Sequence, residues 1–217
     1  MDFVFDVERG KGWLVGAMRN AEVVTVRAGT LFGVRFLPGA AAAYLTDAAS
    51  AFVDERVDLI DVTARGAAEL GERVAEAGHR GGREAVILGF LLDARVRLRA
   101  PDPRVRRAAL LIAQSHGNVS MREVADAANV GGRQLERLFH SHVGIAPKHY
   151  ARIARLEHAC RLMTGSTRPQ AEFAAHAGYA DESHLLRDFR DLAGATPSAL
   201  RAERDVGFVQ AAPAANA

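Results

Sequence analysis

The first forty residues arrange apolar and polar side chains in short alternating runs. In MDFVFDV, residues 1–7, Phe3 and Phe5 face opposite to Asp2, Val4 and Asp6, the period of two that predicts a β-strand. WLVGAM, EVVTVRAG and TLFGVRFLPG are further β-rich runs, separated by Gly, Asn or charged residues. A strand that begins at Met1 is either an edge strand or preceded by further residues in the full protein. From about Ala40 the pattern becomes helical. AAAYL is a short helix candidate, and TARGAAELGERVAEAG puts Ala67, Leu70, Val74 and Ala77 on one face. REAVILGFLLDARVRLR predicts a stronger helix, apolar almost all round, and therefore buried between the halves of the chain or against a partner chain.

RAPDPRV, residues 99–105, holds two prolines and is the predicted linker. Seven helices are predicted beyond it, at about 104–116, 121–128, 132–142, 147–163, 170–177, 182–192 and 197–204. The expected fold is α+β. Residues 1–100 form a β-rich N-terminal domain with two C-terminal helices, and residues 101–205 form an all-α domain. Residues 206–217, rich in Ala, form a frayed tail.

The helical half carries one pattern twice. ANVGGRQLERLFHSHVGIAP, from Ala128, and AGYADESHLLRDFRDLAGATP, from Ala177, share Ala, a short polar turn, Leu, Arg, Phe, Gly and Pro in one order. Glu123–Ala128 aligns on Glu172–Ala177 at an offset of 49, and Leu135–Pro147 on Leu185–Pro197 at 50, so one turn is a residue longer. Small Ala125 and Ala174 allow two helices to cross closely. Leu135 with Phe139, and Leu185 with Phe189, stand four apart and form the buried stripe of each second helix. Gly144 and Gly194 fall where a left-handed C-cap is expected. Pro147 and Pro197 suit the first turn of the next helix. Ser120 and Glu123 make a capping box, and Asp181 is an N-cap. Two helices joined by a short turn, the second amphipathic with an outward Arg, describe a helix-turn-helix. Between the two repeats runs a helix of about 17 residues, roughly 25 Å long, against about 34 Å between successive major-groove faces of DNA.

Charge sharpens this picture slightly. Lys and Arg number 13 against 14 Asp and Glu in residues 1–100, and 15 against 12 in residues 101–217, with Arg supplying nearly all the cations. Arg forks onto phosphates and guanine edges better than Lys does. The hydrophobic fraction of 49% supports a packed core. No apolar run reaches membrane-spanning length, and the acidic N-terminus does not resemble a secretion signal, so the expected location is cytoplasmic. The lone Cys160 excludes an internal disulfide.

Residues 102–204 closely resemble the DNA-binding domain of the AraC/XylS family of bacterial transcription regulators. The resemblance is carried by VSMREVADAANV, RQLERLFHSHVGIAPKHYARIARLEHACRLM and FAAHAGYADESHLLRDFRDLAGATPSALR. It implies two helix-turn-helix units that each place one helix in a major groove, with double-stranded DNA as partner. RNA polymerase, a small-molecule effector and a second copy of the chain are further expected partners. Whether the protein is an activator or a repressor stays open. GVRFLPGAAAAYL and VDLIDV resemble part of the family's β-rich N-terminal domain, which normally has more strands upstream.

The exposed positions at the start of each second helix are the expected base contacts. These are Arg133, Gln134, Glu136 and Arg137 in the first unit, and Glu182, Ser183, His184 and Arg187 in the second. Arg can fork to guanine and Gln to adenine, while Glu136 is expected to pair with a neighbouring Arg somewhat more readily than with a base. Phosphate contacts are expected from Lys148, His149, Arg152, Arg190 and Ser198, on basic side chains and helix N-termini. Rival readings are weaker. His140 and His142 are two ligands where a metal site needs three or four. Cys160 shares a helical face with Leu156 and Met163, a core position. No Gly-rich phosphate loop, nucleophile elbow or paired carboxylate suggests an enzyme or a cofactor site. A DNA-free dimerising adaptor, or a ligand-binding protein that uses the N-terminal half, is the principal alternative.

Overall fold

The computed structural model describes residues 1–22, 29–63, 67–93, 98–163 and 170–202. The chain divides into two compact units. One comprises Met1–Met18, Val24–Arg106 and Glu136–Ile145; the other comprises Arg19–Val23, Arg107–Leu135 and Ala146–Ala217.

In the first unit the alternating runs become strands. β1 (Asp2–Asp6), β2 (Lys11–Val15), β3 (Leu31–Arg35) and β4 (Arg56–Asp58) form an antiparallel sheet in the order β3-β1-β2-β4. β1 is therefore an interior strand, correcting the edge-strand alternative. Asp2 is the exception to the polar-outward alternation. It lies opposite Arg35 in the β1–β3 register and is buried in a two-pronged ion pair, Nε to Oδ1 at 3.0 Å and Nη2 to Oδ2 at 3.1 Å. Such a fork satisfies both carboxylate oxygens, which burial alone would penalise. Phe3, Phe5 and Leu14 on the other face are fully buried in one cluster with Leu59, Val62, Leu70, Val74, Ile87 and Phe90.

The helices of this unit differ from expectation. AAA at 41–43 makes only a 3-10 turn, and Leu59–Val62 forms the single turn α1. α2 spans Leu70–Glu76, shorter than its pattern. α3, Arg80–Leu92, buries Ile87 and Phe90 but leaves Leu88 56% and Leu92 68% exposed. Within its own unit α3 therefore sets one face on the core and leaves the other exposed. EVVTVRAG falls largely on residues 23–28 and the tail on 206–217, outside the described residues.

The seven C-terminal helices lie close to where the pattern puts them. They are α4 (Pro103–Gln114), α5 (Met121–Ala127), α6 (Gly132–His142), α7 (Pro147–Met163), α8 (Gln170–His176), α9 (Glu182–Ala193) and α10 (Pro197–Ala202). Phe173, Ala174, Ala177, Tyr179, Leu185, Phe189 and Leu192 pack with Leu156 and Ala159 of α7. Gly117, at φ +72° after α4, lies so close to the Ala151 carbonyl that a Cβ there would collide with it.

Candidate nucleic-acid interface

The two repeats have the same local construction. In each, the chain leaves the first helix through a left-handed residue, Asn129 at φ 52° or Gly178 at φ 82°. The next amide returns to the first helix, Val130 N–H to Ala125 O at 3.0 Å and Tyr179 N–H to Ala174 O at 2.9 Å. Asn tolerates this backbone region and Gly prefers it. The extra residue of the second turn is Ala180, which follows the matching bond. Ser120 and Glu123 form the expected reciprocal box on α5, with Ser120 N–H to Glu123 Oε2 at 2.9 Å and Glu123 N–H to Ser120 Oγ at 3.2 Å.

The second helices start differently. Asp181 Oδ1 accepts from the His184 amide at 2.7 Å and caps α9. α6 has Gly131 in that place, whose carbonyl takes the Leu135 amide at 2.9 Å but which has no side chain to cap with. Both helices end at left-handed glycines, Gly144 at φ 99° and Gly194 at φ 67°.

Burial along α6 and α9 is nearly identical. Leu135, Leu138 and Phe139 match Leu185, Asp188 and Phe189 as buried positions. Arg133, Glu136 and Arg137 are exposed on α6, with Gln134 half-buried; Glu182, Ser183 and Arg187 are exposed on α9, with His184 half-buried. Among the described residues Arg133, Arg137 and Arg187 form no ion pair, and neither does Glu136, contrary to the expected pairing with a neighbouring Arg. Ser183, Leu186, Arg187, Arg190 and Asp191 line one open groove of about 420 Å³.

The expected phosphate contacts divide into two groups. Lys148, Arg190 and Ser198 are exposed, Ser198 in the first turn of α10, where Thr196 Oγ1 accepts from the Ala199 amide at 3.2 Å. His149 and Arg152 are engaged within the protein. His149 Nε2 lies 2.9 Å from the carbonyl oxygen of Arg19. Arg152 donates to Asp188 Oδ1 from Nε at 3.0 Å and from Nη2 at 2.8 Å, and reaches Asp191 Oδ2 at 3.0 Å. Asp188, with a side chain only 3% exposed, was not anticipated from the sequence. Its one signal is that the repeat puts an acid where the first unit has the core residue Leu138. Arg155, also unanticipated, donates from Nη2 to the Gly117 carbonyl at 2.8 Å and sits 5.5 Å from the Tyr179 ring.

No group of three or more potential metal ligands occurs among the described residues. His142 bonds locally, its Nδ1 2.7 Å from Ser141 Oγ and 3.1 Å from the Leu138 carbonyl. Burial, reinforced by Glu157, pushes the Cys160 thiol up to about 12, the opposite of an activated nucleophile. No described helix is long and apolar enough to cross a membrane.

Residues 124–203 match the family model described as a helix-turn-helix domain. Curated relatives over this region are transcriptional regulators. The chain is similar to the regulator ArgR of Pseudomonas aeruginosa, 27% identical over 112 residues, 51% of this chain and 34% of that protein. It is also similar to the activator RhaR of Yersinia pseudotuberculosis, 37% identical over 65 residues, 30% of this chain and 22% of that one. Residues 124–203 are therefore a helix-turn-helix domain. The chain also aligns with an AraC-type regulator structure from Chromobacterium violaceum, at 26% identity and a TM-score of 0.44, covering 49% of this chain and 96% of that one. A DNA complex of the AdpA DNA-binding domain aligns at 28% identity and a TM-score of 0.42, covering 49% and 99%. The chain spans less than two fifths of the length of the curated relatives it matches.

Proposed function

We propose that the protein is a sequence-specific DNA-binding transcription regulator that reads adjacent major-groove segments with α6 and α9. The observation that carries this reading is the repeated placement of an unpaired, exposed Arg137 and Arg187 at the same position of two amphipathic helices. A guanidinium so placed can fork onto guanine O6 and N7. Arg133, Gln134 and Glu136 on α6, and Glu182, Ser183 and His184 on α9, complete the base-facing set. Lys148, Arg190 and Ser198 supply phosphate contacts that fix register without reading sequence. Regulation, including small-molecule control, falls in this reading to residues 1–100, which lie outside the family match.

Selection of bound duplexes from a random DNA pool by the full chain tests the reading. Two clusters of selected base pairs about one helical turn, roughly 10 bp, apart are expected. Salt-sensitive binding without base preference would overturn it. A second reading has one specific observation in its favour. Gly81, Ala85, Leu88, Gly89 and Leu92 form an exposed stripe of small and apolar residues along α3, fit for close packing against a second copy. Gel filtration at micromolar concentration tests this, and a strictly monomeric protein would remove it.

A further inference from the structure

The turn between α4 and α5 is folded tightly against α7. His116 and Gly117 follow one another in left-handed backbone, at φ 51° and 72°, and the Gly117 amide returns to the Ile112 carbonyl at 2.8 Å. The His116 ring stacks on His158 of α7, with 3.9 Å between centroids and 2° between planes. Asn118 comes next and meets the other helix-turn-helix. A Cβ on Gly178, the left-handed residue of the second turn, would stand 3.6 Å from the Asn118 side chain. Three pieces thus meet at one joint: the turn that leads into the first unit, the connecting helix and the turn of the second unit. All of them lie in one compact unit.

Arg155 projects from α7 into this joint and touches both of the other pieces. Its Nη2 donates to the Gly117 carbonyl at 2.8 Å, and its Nη1 lies 3.5 Å from His184 Nε2 at the start of α9. A guanidinium can only donate, so His184 Nε2 is the acceptor of this long hydrogen bond. The guanidinium also sits 5.5 Å from the centre of the Tyr179 ring, which His184 meets edge-on at 5.1 Å. The apolar packing of α9 on α7 is not directional, whereas the planar fork of an arginine fixes the direction of its two bonds relative to each other. One side chain therefore ties the approach to α5 to the start of α9.

We propose that Arg155 is a positioning residue that fixes the two helix-turn-helix units against each other, and through this the separation of the two base-pair clusters that one bound chain reads. The hold passes to the first reader because α5 keeps the start of α6 in place through the Val130–Ala125 bond. Each second helix keeps its own buried stripe, Leu135 with Phe139 and Leu185 with Phe189, so losing Arg155 loosens the joint and not the units. This rests on α6 and α9 being base-reading helices.

The test compares the full chain with its Arg155→Met variant, which keeps an unbranched stem and removes every donor. Duplexes selected from a random pool should show the same preferred base pairs within each cluster for both proteins. The preference for the wild-type separation over one a base pair longer or shorter should fall about three- to tenfold in the variant. A general loss of stability would weaken all separations alike and leave that ratio unmoved. An unchanged ratio overturns the proposal. Should the methionine variant unfold, Arg155→Lys keeps the charge without the fork and should lower the same ratio. Spin labels at Arg122→Cys on α5 and Glu182→Cys on α9, in a Cys160→Ala chain, give a second readout without DNA. Their distance distribution should be narrow with Arg155 and broader without it, and equal widths overturn the proposal. A wild-type chain that selects base pairs at no fixed separation also overturns it, while base reading stands. If the wild-type chain shows no base preference, the proposed function itself fails, and the label distances alone decide whether Arg155 holds the joint.

Discussion

The two helix-turn-helix units make a controlled comparison within one chain. They share the left-handed exit, the returning amide bond, the buried Leu and Phe, the exposed Arg and the glycine end. They differ in three places. At the start of its second helix the first unit has Gly131, without a side-chain cap, and the second unit has the capping Asp181. The first keeps Leu138 where the second buries Asp188. Behind α9 stand Arg152 and Arg155 of α7, tied to Asp188 and directed at His184. The shared features are those a helix-turn-helix needs in order to fold; the differing ones bear on how firmly each second helix is held and on what it would read under the proposed function.

The largest break in the comparison should come from the shared core. Phe189→Ala should cost about 3–5 kcal/mol in denaturant unfolding, with Phe139→Ala in the same range, because both rings are fully buried. A loss below about 1 kcal/mol at either site would show that its unit adds little to global stability. Next in size are the exposed arginines. Arg187→Ala and Arg137→Ala should each cost about 1–3 kcal/mol of binding and relax selection at different base pairs. If fluorescence anisotropy on selected DNA gives unchanged affinity and base preference for either variant, that helix is not a reader.

Asp181→Ala should destabilise the protein by about 1 kcal/mol, since it removes the side-chain bond to the His184 amide. No change in thermal unfolding would mean that the α9 terminus adds nothing to stability. Gly131→Ser should have the smallest effect, a stabilisation of a few tenths of a kcal/mol. The position is exposed, and an added Cβ meets nothing within 4 Å. Amide exchange in the first turn of α6 is the sensitive measurement. Unchanged protection there would count against the idea that the glycine pair loosens the first reader.

Much of the C-terminal half was legible because its determinants are local. The capping box at Ser120 and Glu123, the Asp181 cap, the prolines opening α7 and α10 and the glycines ending α6 and α9 are set by backbone chemistry within a few residues. The four-residue spacing of Leu185 and Phe189 marks a buried stripe for the same reason. The N-terminal half was less legible. Its strands show their alternation, but the interior place of β1 depends on which strands pair, and that involves residues far apart in sequence. The apolar run of α3 suggested full burial, yet composition says how much apolar surface exists, not which of it is covered.

By itself, then, the sequence determined the seven C-terminal helices, their caps, the doubled unit and the outward face that carries Arg137 and Arg187, because helix periodicity and capping are short-range. Only the tertiary structure decided the fates of Asp2, Asp188, Arg152 and Arg155. Whether a charge is buried, and what compensates it, depends on partners brought from distant positions. Asp2 meets Arg35 across the sheet, and Asp188 meets Arg152 across two helices. Desolvation makes such pairings consequential, and no local pattern encodes them.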